Sequence, residues 1–186
     1  MAGGSNEDFH RIRSPFEGRL VRLRAVEQDD LPGINELFWE PGVTQQLLVV
    51  WPESVSGTRE WWEKRRAARE PHFAIETLSG ELVGACDLAR VEGRARTAIL
   101  GIWIGRPFWD KGYGTDAVRT LCRFGFREMN LQRIELGVLE TNPRGRRAYE
   151  KVGFKEEGRL RRALFVGGRH VDMIVMGLLI EDLLED

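Results

Sequence analysis

The chain has 186 residues, 42% hydrophobic and 31% charged, with a formal net charge of −1. That size predicts one folded unit with a proper core, and the near-neutral balance leaves no global field to draw it to nucleic acid or to a membrane surface. No run approaches the ~20 apolar residues of a membrane span, and the two cysteines and three scattered histidines lack metal-ligand spacing, which excludes a metal site.

Residues 1–14 are polar and Gly-rich and predict a flexible tail, leaving 15–186 as a single domain. Gly18 to Ala25 alternates and reads as a first strand. Asp29-Asp30-Leu31-Pro32 starts a helix, with an acidic cap and proline in the first turn. Leu31, Ile34 and Phe38 lie on one face, and Pro41-Gly42 ends it. Thr58 caps a second helix that runs to about Arg69. Phe73 to Thr77 and Glu81 to Leu88 are strands around a Ser79-Gly80 turn.

Thr97 to Ile104 is a fourth strand. Both of its rows are apolar, so it should be central and covered on both faces. A helix from Thr115 carries Val118, Leu121, Cys122, Gly125 and Met129 as an amphipathic stripe. Arg133 to Leu139 is a fifth strand. A short helix follows, and Arg159 to Val166 with Arg169 to Leu178 close a hairpin about Gly167-Gly168. Cys86 and Cys122 fall in apolar stretches and read as buried free thiols, which suits a reducing cytoplasm. The basic runs Arg59 to Arg69 and Arg159 to Arg162 read as solvated faces.

The segment Lys111-Gly112-Tyr113-Gly114-Thr115 joins a strand to a helix N-terminus. First-turn amides lack intrachain acceptors, and with the helix dipole they favour an anion. Glycines let the backbone approach a phosphate, Thr115 adds a hydroxyl, and Lys111 adds charge. By itself such a turn is also what any strand-to-helix junction uses. It has neither the Walker frame nor the third glycine of the dinucleotide fingerprint.

From Leu20 to Leu178 the chain resembles the GNAT superfamily of acetyl-CoA-dependent N-acetyltransferases. The matching residues are Gly112-Tyr113-Gly114-Thr115-Asp116-Ala117, then Phe126 to Ile134. Asn142-Pro143-Arg144 follows, leading into Ala148-Tyr149-Glu150-Lys151-Val152-Gly153-Phe154. Glu157-Gly158-Arg159-Leu160 and Asp172 to Met176 are similar to the RimJ/RimL-like and spermidine acetyltransferase-like branch. The resemblance implies an α/β fold with a mixed, mostly antiparallel sheet of about seven strands and flanking helices.

It also implies an acetyl-CoA site. Ile102, Trp103 and Ile104 would pair with the pantetheine arm through the backbone, a Trp103 amide polarising the thioester. Trp109, Lys111, Gly112, Tyr113, Gly114 and Thr115 would hold the pyrophosphate. Asn142 would contact the arm. Arg144, Arg146 or Arg147 would reach the 3′-phosphate, where a guanidinium suits a phosphate, and Lys151 belongs to the same frame. Tyr149 would be the general acid that protonates the departing coenzyme A thiolate.

Two positions depart from the pattern. Trp109 stands where many members carry Gln or Arg. Ile99 stands where this branch often has a glutamate, a candidate base, so Asp87, Glu135 and His72 become the alternatives. The acceptor should lie among the first two helices, where Glu36, Trp39, Glu40, Trp51, Glu53, Trp61 and Trp62 offer aromatic faces and carboxylates for a cationic amine. The expected activity is acetyl transfer to a primary amine: a protein N-terminus, a polyamine or another small amine. The alternative is a non-catalytic acyl-CoA sensor of the same fold. Expected partners are the amine and a second copy of the chain in a homodimer or higher oligomer.

Overall fold

The computed structural model describes residues 14–47, 51–68 and 70–185, so the tail expected over 1–14 lies, except for Ser14, outside the described residues. Seven strands form one mixed sheet: β1 (Val21–Ala25), β2 (His72–Thr77), β3 (Leu82–Glu92), β4 (Thr97–Ile104), β5 (Arg133–Leu139), β6 (Lys155–Val166) and β7 (Arg169–Leu179). Their order in space is β1-β2-β3-β4-β5-β7-β6. Among the described strands only the β4–β5 pair is parallel. The helices are α1 (Leu31–Phe38), α2 (Pro41–Thr44), α3 (Val55–Ala68), α4 (Tyr113–Arg127) and α5 (Pro143–Glu150).

Alternation along the strands feeds two apolar clusters. Ile75, Leu88, Ala98, Leu100 and Ile134 pack with Val118, Leu121, Cys122 and Phe126 of α4. On the other face Ala74 and Trp103 pack with Leu31 and Ile34 of α1 and Trp62 of α3. Cys86 and Cys122 are buried free thiols, as expected. No helix among the described residues is long and apolar enough to cross a membrane.

Two local expectations are corrected. The helix of Leu31 stops at Phe38, and Pro41 opens α2 instead of ending α1; proline suits a first helical position, where no N–H is needed. The second helix begins at Val55, a turn before Thr58. Ser54 takes the capping role by accepting the Gly57 N–H at 3.1 Å, and the Thr58 hydroxyl accepts from Asn35 Nδ2 at 2.8 Å. As expected, β4 is central and covered on both faces, by α4 on one and by α1 and α3 on the other. Ala98 and Leu100 are 1% and 5% exposed, whereas Ile99 and Gly101 to Ile104 are half-buried because cavities lie against them.

The feature that positions the site is a divergence. β4 and β5 are in register only at Thr97↔Arg133, Ala98↔Ile134 and Ile99↔Glu135. β4 nevertheless stays paired with β3 out to Ile104. The edge of β4 beyond Ile99 therefore lacks a strand partner on the β5 side, and unpaired strand edges are templates for an added extended chain.

Candidate active site

The divergence opens a cleft of about 890 Å³, lined by β4, β5, the Gly105 to Thr115 segment and α5. Gly105 donates its N–H to Val83 O at 2.9 Å. In the antiparallel register this bond fixes the alternation, so Gly101 and Trp103 turn their main-chain groups to β3. Leu100, Ile102 and Ile104 turn theirs to the open edge. The expectation of a Trp103 amide in the cleft is corrected accordingly: its backbone faces Ala85, and its indole packs edge-on against Phe38 at 5.2 Å.

At the cleft's end, Gly112 caps α4 with φ 83°, a left-handed backbone that favours glycine. Among the described residues no side chain caps this helix. Its first-turn amides are thus open to an anionic acceptor. Gly114 needs no such freedom; a Cβ there would make only an ordinary contact with Ile104 Cγ1 at 3.5 Å. Trp109, Gly112, Tyr113, Gly114 and Thr115 all line the cleft. Lys111 does not; its ammonium lies 5.4 Å from the Phe108 ring centroid. The Trp109 indole donates to Ile104 O at 2.7 Å, so Trp109 serves as a wall and carries no free side-chain donor.

Asp116, one turn into α4, was missed as a structural element by sequence reasoning. Its buried carboxylate accepts the N–H groups of Arg19, Leu20 and Val21 at 3.1, 2.8 and 3.0 Å. It thus pins the entry to β1 against the start of α4. The partners are 95 to 97 residues away, so no local signal announces the bond.

The opposite wall is α5. Asn142 caps it by accepting the Gly145 N–H at 2.9 Å, and Pro143 takes its first position. Asn142, Arg144, Arg147, Tyr149 and Lys151 line the cleft. Arg146 is absent from the lining; it pairs with Glu150 at 2.8 Å and Glu156 at 3.1 Å. The Arg144 guanidinium lies 3.2 Å from the Trp109 ring centroid. Burial pushes the Tyr149 phenol up to about 12, and the nearby Arg144 charge works against that rise. The Val152-Gly153-Phe154 end of the motif is structural: Val152 and Phe154 are core, and Gly153 has φ 112° with the Asp182 carbonyl where a Cβ would sit.

A second cavity of about 730 Å³ lies under α1 and α3 and shares Leu47, Arg65, Asp87, Gly101, Ile102 and Trp103 with the cleft. Trp39, Trp51, Glu53 and Trp61 line it. Glu36 and Glu40 line neither cavity. Glu36 is exposed, and Glu40 binds Arg106 at 3.0 Å. Trp62 is core. Arg65, which sequence placed in a solvated basic face, instead turns inward to an ion pair with Asp87.

Asp87 is 7% exposed and stands in register with His72 on one side and Gly101 on the other. His72 Nδ1 is 3.7 Å from the Asp87 carboxylate. Burial, aided by the Arg65 charge, nevertheless pushes the imidazole down to about 4. Arg65 neutralises the carboxylate that would otherwise hold a proton on the ring, so His72 is neutral at pH 7. Glu135 lines the cleft and binds Arg133 at 3.3 Å. Among the described residues no three His, Cys, Asp or Glu groups gather as a metal set.

Comparison with known proteins agrees with this geometry. Residues 20–155 match the acetyltransferase (GNAT) domain family. The Bacillus subtilis protein named "Probable N-acetyltransferase YjcK" is 34% identical over 90% of this chain and 98% of its own length. The spermidine N(1)-acetyltransferase of Vibrio cholerae is 29% identical over 86% of this chain and 92% of its own. A crystal structure of the spermidine N-acetyltransferase from Vibrio cholerae, in complex with CoA and spermine, superposes with a TM-score of 0.82 at 28% identity, over 87% of this chain and 96% of that one. The chain belongs to the GNAT family of acetyltransferases and is an N-acetyltransferase with acetyl-CoA as its co-substrate.

Proposed function

We propose that the chain transfers the acetyl group of acetyl-CoA to a primary amine by direct attack in a ternary complex, with Tyr149 as general acid. The observation that carries this reading is the parting of β4 from β5 with Tyr149 on the facing wall. The pantetheine arm pairs with the edge presented by Ile102 and Ile104. The α4 amides from Tyr113 to Thr115 take the pyrophosphate, and Arg144 and Arg147 take the 3′-phosphate. The thioester then lies near Ile102, where the cleft meets the second cavity.

The amine enters from that second cavity. Asp87 stands at the junction and takes the proton from the incoming ammonium, the role that Ile99 cannot fill. The amine nitrogen attacks the thioester carbon, the C–S bond breaks, the leaving sulfur takes the Tyr149 proton, and the nitrogen releases its second proton to solvent as the amide forms. Solvent then restores the phenol and removes the proton from Asp87. A phenol near 12 stays protonated through the neutral range, and the Arg144 charge stabilises the transient phenolate. The acceptor class is a protein N-terminus, a polyamine or another small amine; the spermidine enzymes among the relatives support an amine acceptor.

The test is acetyl transfer to a panel of amines, read by mass spectrometry alongside release of the free thiol. Acetylated amine in step with thiol supports the reading; acetyl-CoA binding with no acetylated product on any amine would refute it.

A further inference from the structure

We infer that the acceptor is a monoamine with a bulky aromatic body, whose ammonium takes the place of the Arg65 guanidinium between Asp87 and Trp61. This deepens the acetyl-transfer reading and rests on it for the fate of the amine, not for its binding.

The floor of the second cavity already holds a cation. The Arg65 guanidinium is ion-paired with Asp87 and lies 4.8 Å over the Trp61 ring. A carboxylate and an aromatic face are what an organic ammonium needs. The position is also where the acceptor nitrogen must come, since Asp87 fills the space above Gly101 on β4 and both residues border the acetyl-CoA cleft.

Charge argues for one ammonium and against several. Among the described residues, Asp87 is the one buried carboxylate lining this cavity. His72, beside it, is neutral and lends no charge. The other carboxylates lining the cavity, Glu53 and Glu60, are exposed, and Lys64 opposes them. A polyamine with three or four ammoniums would find one buried carboxylate here, and its remaining charges would meet only exposed carboxylates, whose ion pairs are worth little.

The walls argue for an aromatic body. Phe38, Trp39 and Trp103 form an edge-to-face chain, with ring centroids 4.9 and 5.2 Å apart. Trp61 stands opposite on α3, edge-on to His72 at 5.2 Å. Such faces reward a ring and give little to a flexible, charged methylene chain.

The experiment titrates the protein, saturated with unreactive desulfo-CoA, with 2-phenylethylamine and with spermidine, and reads the heat of binding. Phenylethylamine should bind at least about tenfold more tightly than spermidine. Phe38→Ala should weaken phenylethylamine about tenfold. Arg65→Ala should tighten it several-fold, because the ammonium no longer competes for Asp87. Spermidine binding as tightly as phenylethylamine, no phenylethylamine binding, or weaker binding in Arg65→Ala would each overturn the inference. Phenylethylamine binding with no acetyl transfer in the parallel acetyl-CoA assay would leave the chamber assigned and end the acetyl-transfer reading alone.

Discussion

The Asp87 carboxylate on β3 fills the volume that a side chain on Gly101 of β4 would occupy. The glycine lets a carboxylate lie across β4, two residues from Ile99, at the place where the acetyl-CoA cleft and the aromatic chamber meet. Two variants follow. Asp87→Asn should lower kcat about 100-fold, the scale of a lost general base, with unchanged acetyl-CoA affinity. Glu135→Gln, on the far side of Ile99, should change kcat by less than about threefold. Equal effects of the two in steady-state kinetics would remove Asp87 from the mechanism.

Tyr149→Phe should lower kcat about 100-fold or more and leave acetyl-CoA affinity within about twofold by calorimetry. Because burial holds the phenol near 12, its ionisation should not limit the rate between pH 7 and 10. A fall in kcat across that range that disappears in Tyr149→Phe would contradict the assignment.

Gly112 and Gly114 should behave differently although the motif presents them alike. Gly112→Val forces a β-branched residue to φ 83° and brings its Cβ to 3.1 Å from Leu20 Cδ1. That strain costs about 1–3 kcal/mol and should remove measurable acetyl-CoA binding. Gly114→Ala meets an ordinary contact and should keep binding within about threefold. Calorimetry on both variants decides it; equal losses would refute the role assigned to the left-handed cap.

Asp116→Ala should destabilise the fold by about 3 kcal/mol, since it leaves three backbone amides without their acceptor. Urea denaturation at constant slope would show it. A change under about 0.5 kcal/mol would mean that water replaces the carboxylate.

His72 predicts a pH dependence of stability. Its folded pKa, about 4, lies below the ordinary 6.5, so the unfolded chain binds this proton first. Stability should therefore fall as pH drops from 6.5, by up to about 3 kcal/mol, and level off below about 4. Asp30, Glu76 and Glu157 have carboxyl groups held below their ordinary values by arginines. They titrate lower, so the window from pH 6.5 to 5 isolates the imidazole. His72→Phe should flatten thermal unfolding across that window; an unchanged slope would exclude His72.

The parts of this molecule that were legible in the sequence are those set by local pattern. The span of β4, the span of β5 and the glycine turn before α4 all follow from alternation, helical spacing and turn residues within a few positions. The parts that were not legible depend on partners far along the chain. Asp116 reads as an acidic first-turn residue until β1 is folded against it. Arg65 sits in a basic run that looks solvated, and only the register of β2, β3 and β4 brings Asp87 beneath it. Glu36 and Glu40 were placed with the acceptor by their position in the chain, but Glu36 is exposed on α1 and Glu40, beyond the end of α1, is held by Arg106. The backbone alternation that turns Trp103 toward β3 is likewise a property of the pairing and not of the residue.

The most direct measurement is product analysis under single conditions: protein, isotopically labelled acetyl-CoA and a panel of primary amines, with Tyr149→Phe in parallel. The account predicts labelled N-acetyl amine equal in amount to the free coenzyme A released, with the rate about 100-fold lower in Tyr149→Phe. Acetyl-CoA bound tightly but never consumed with any amine would contradict it and leave the chain as an acyl-CoA-binding sensor.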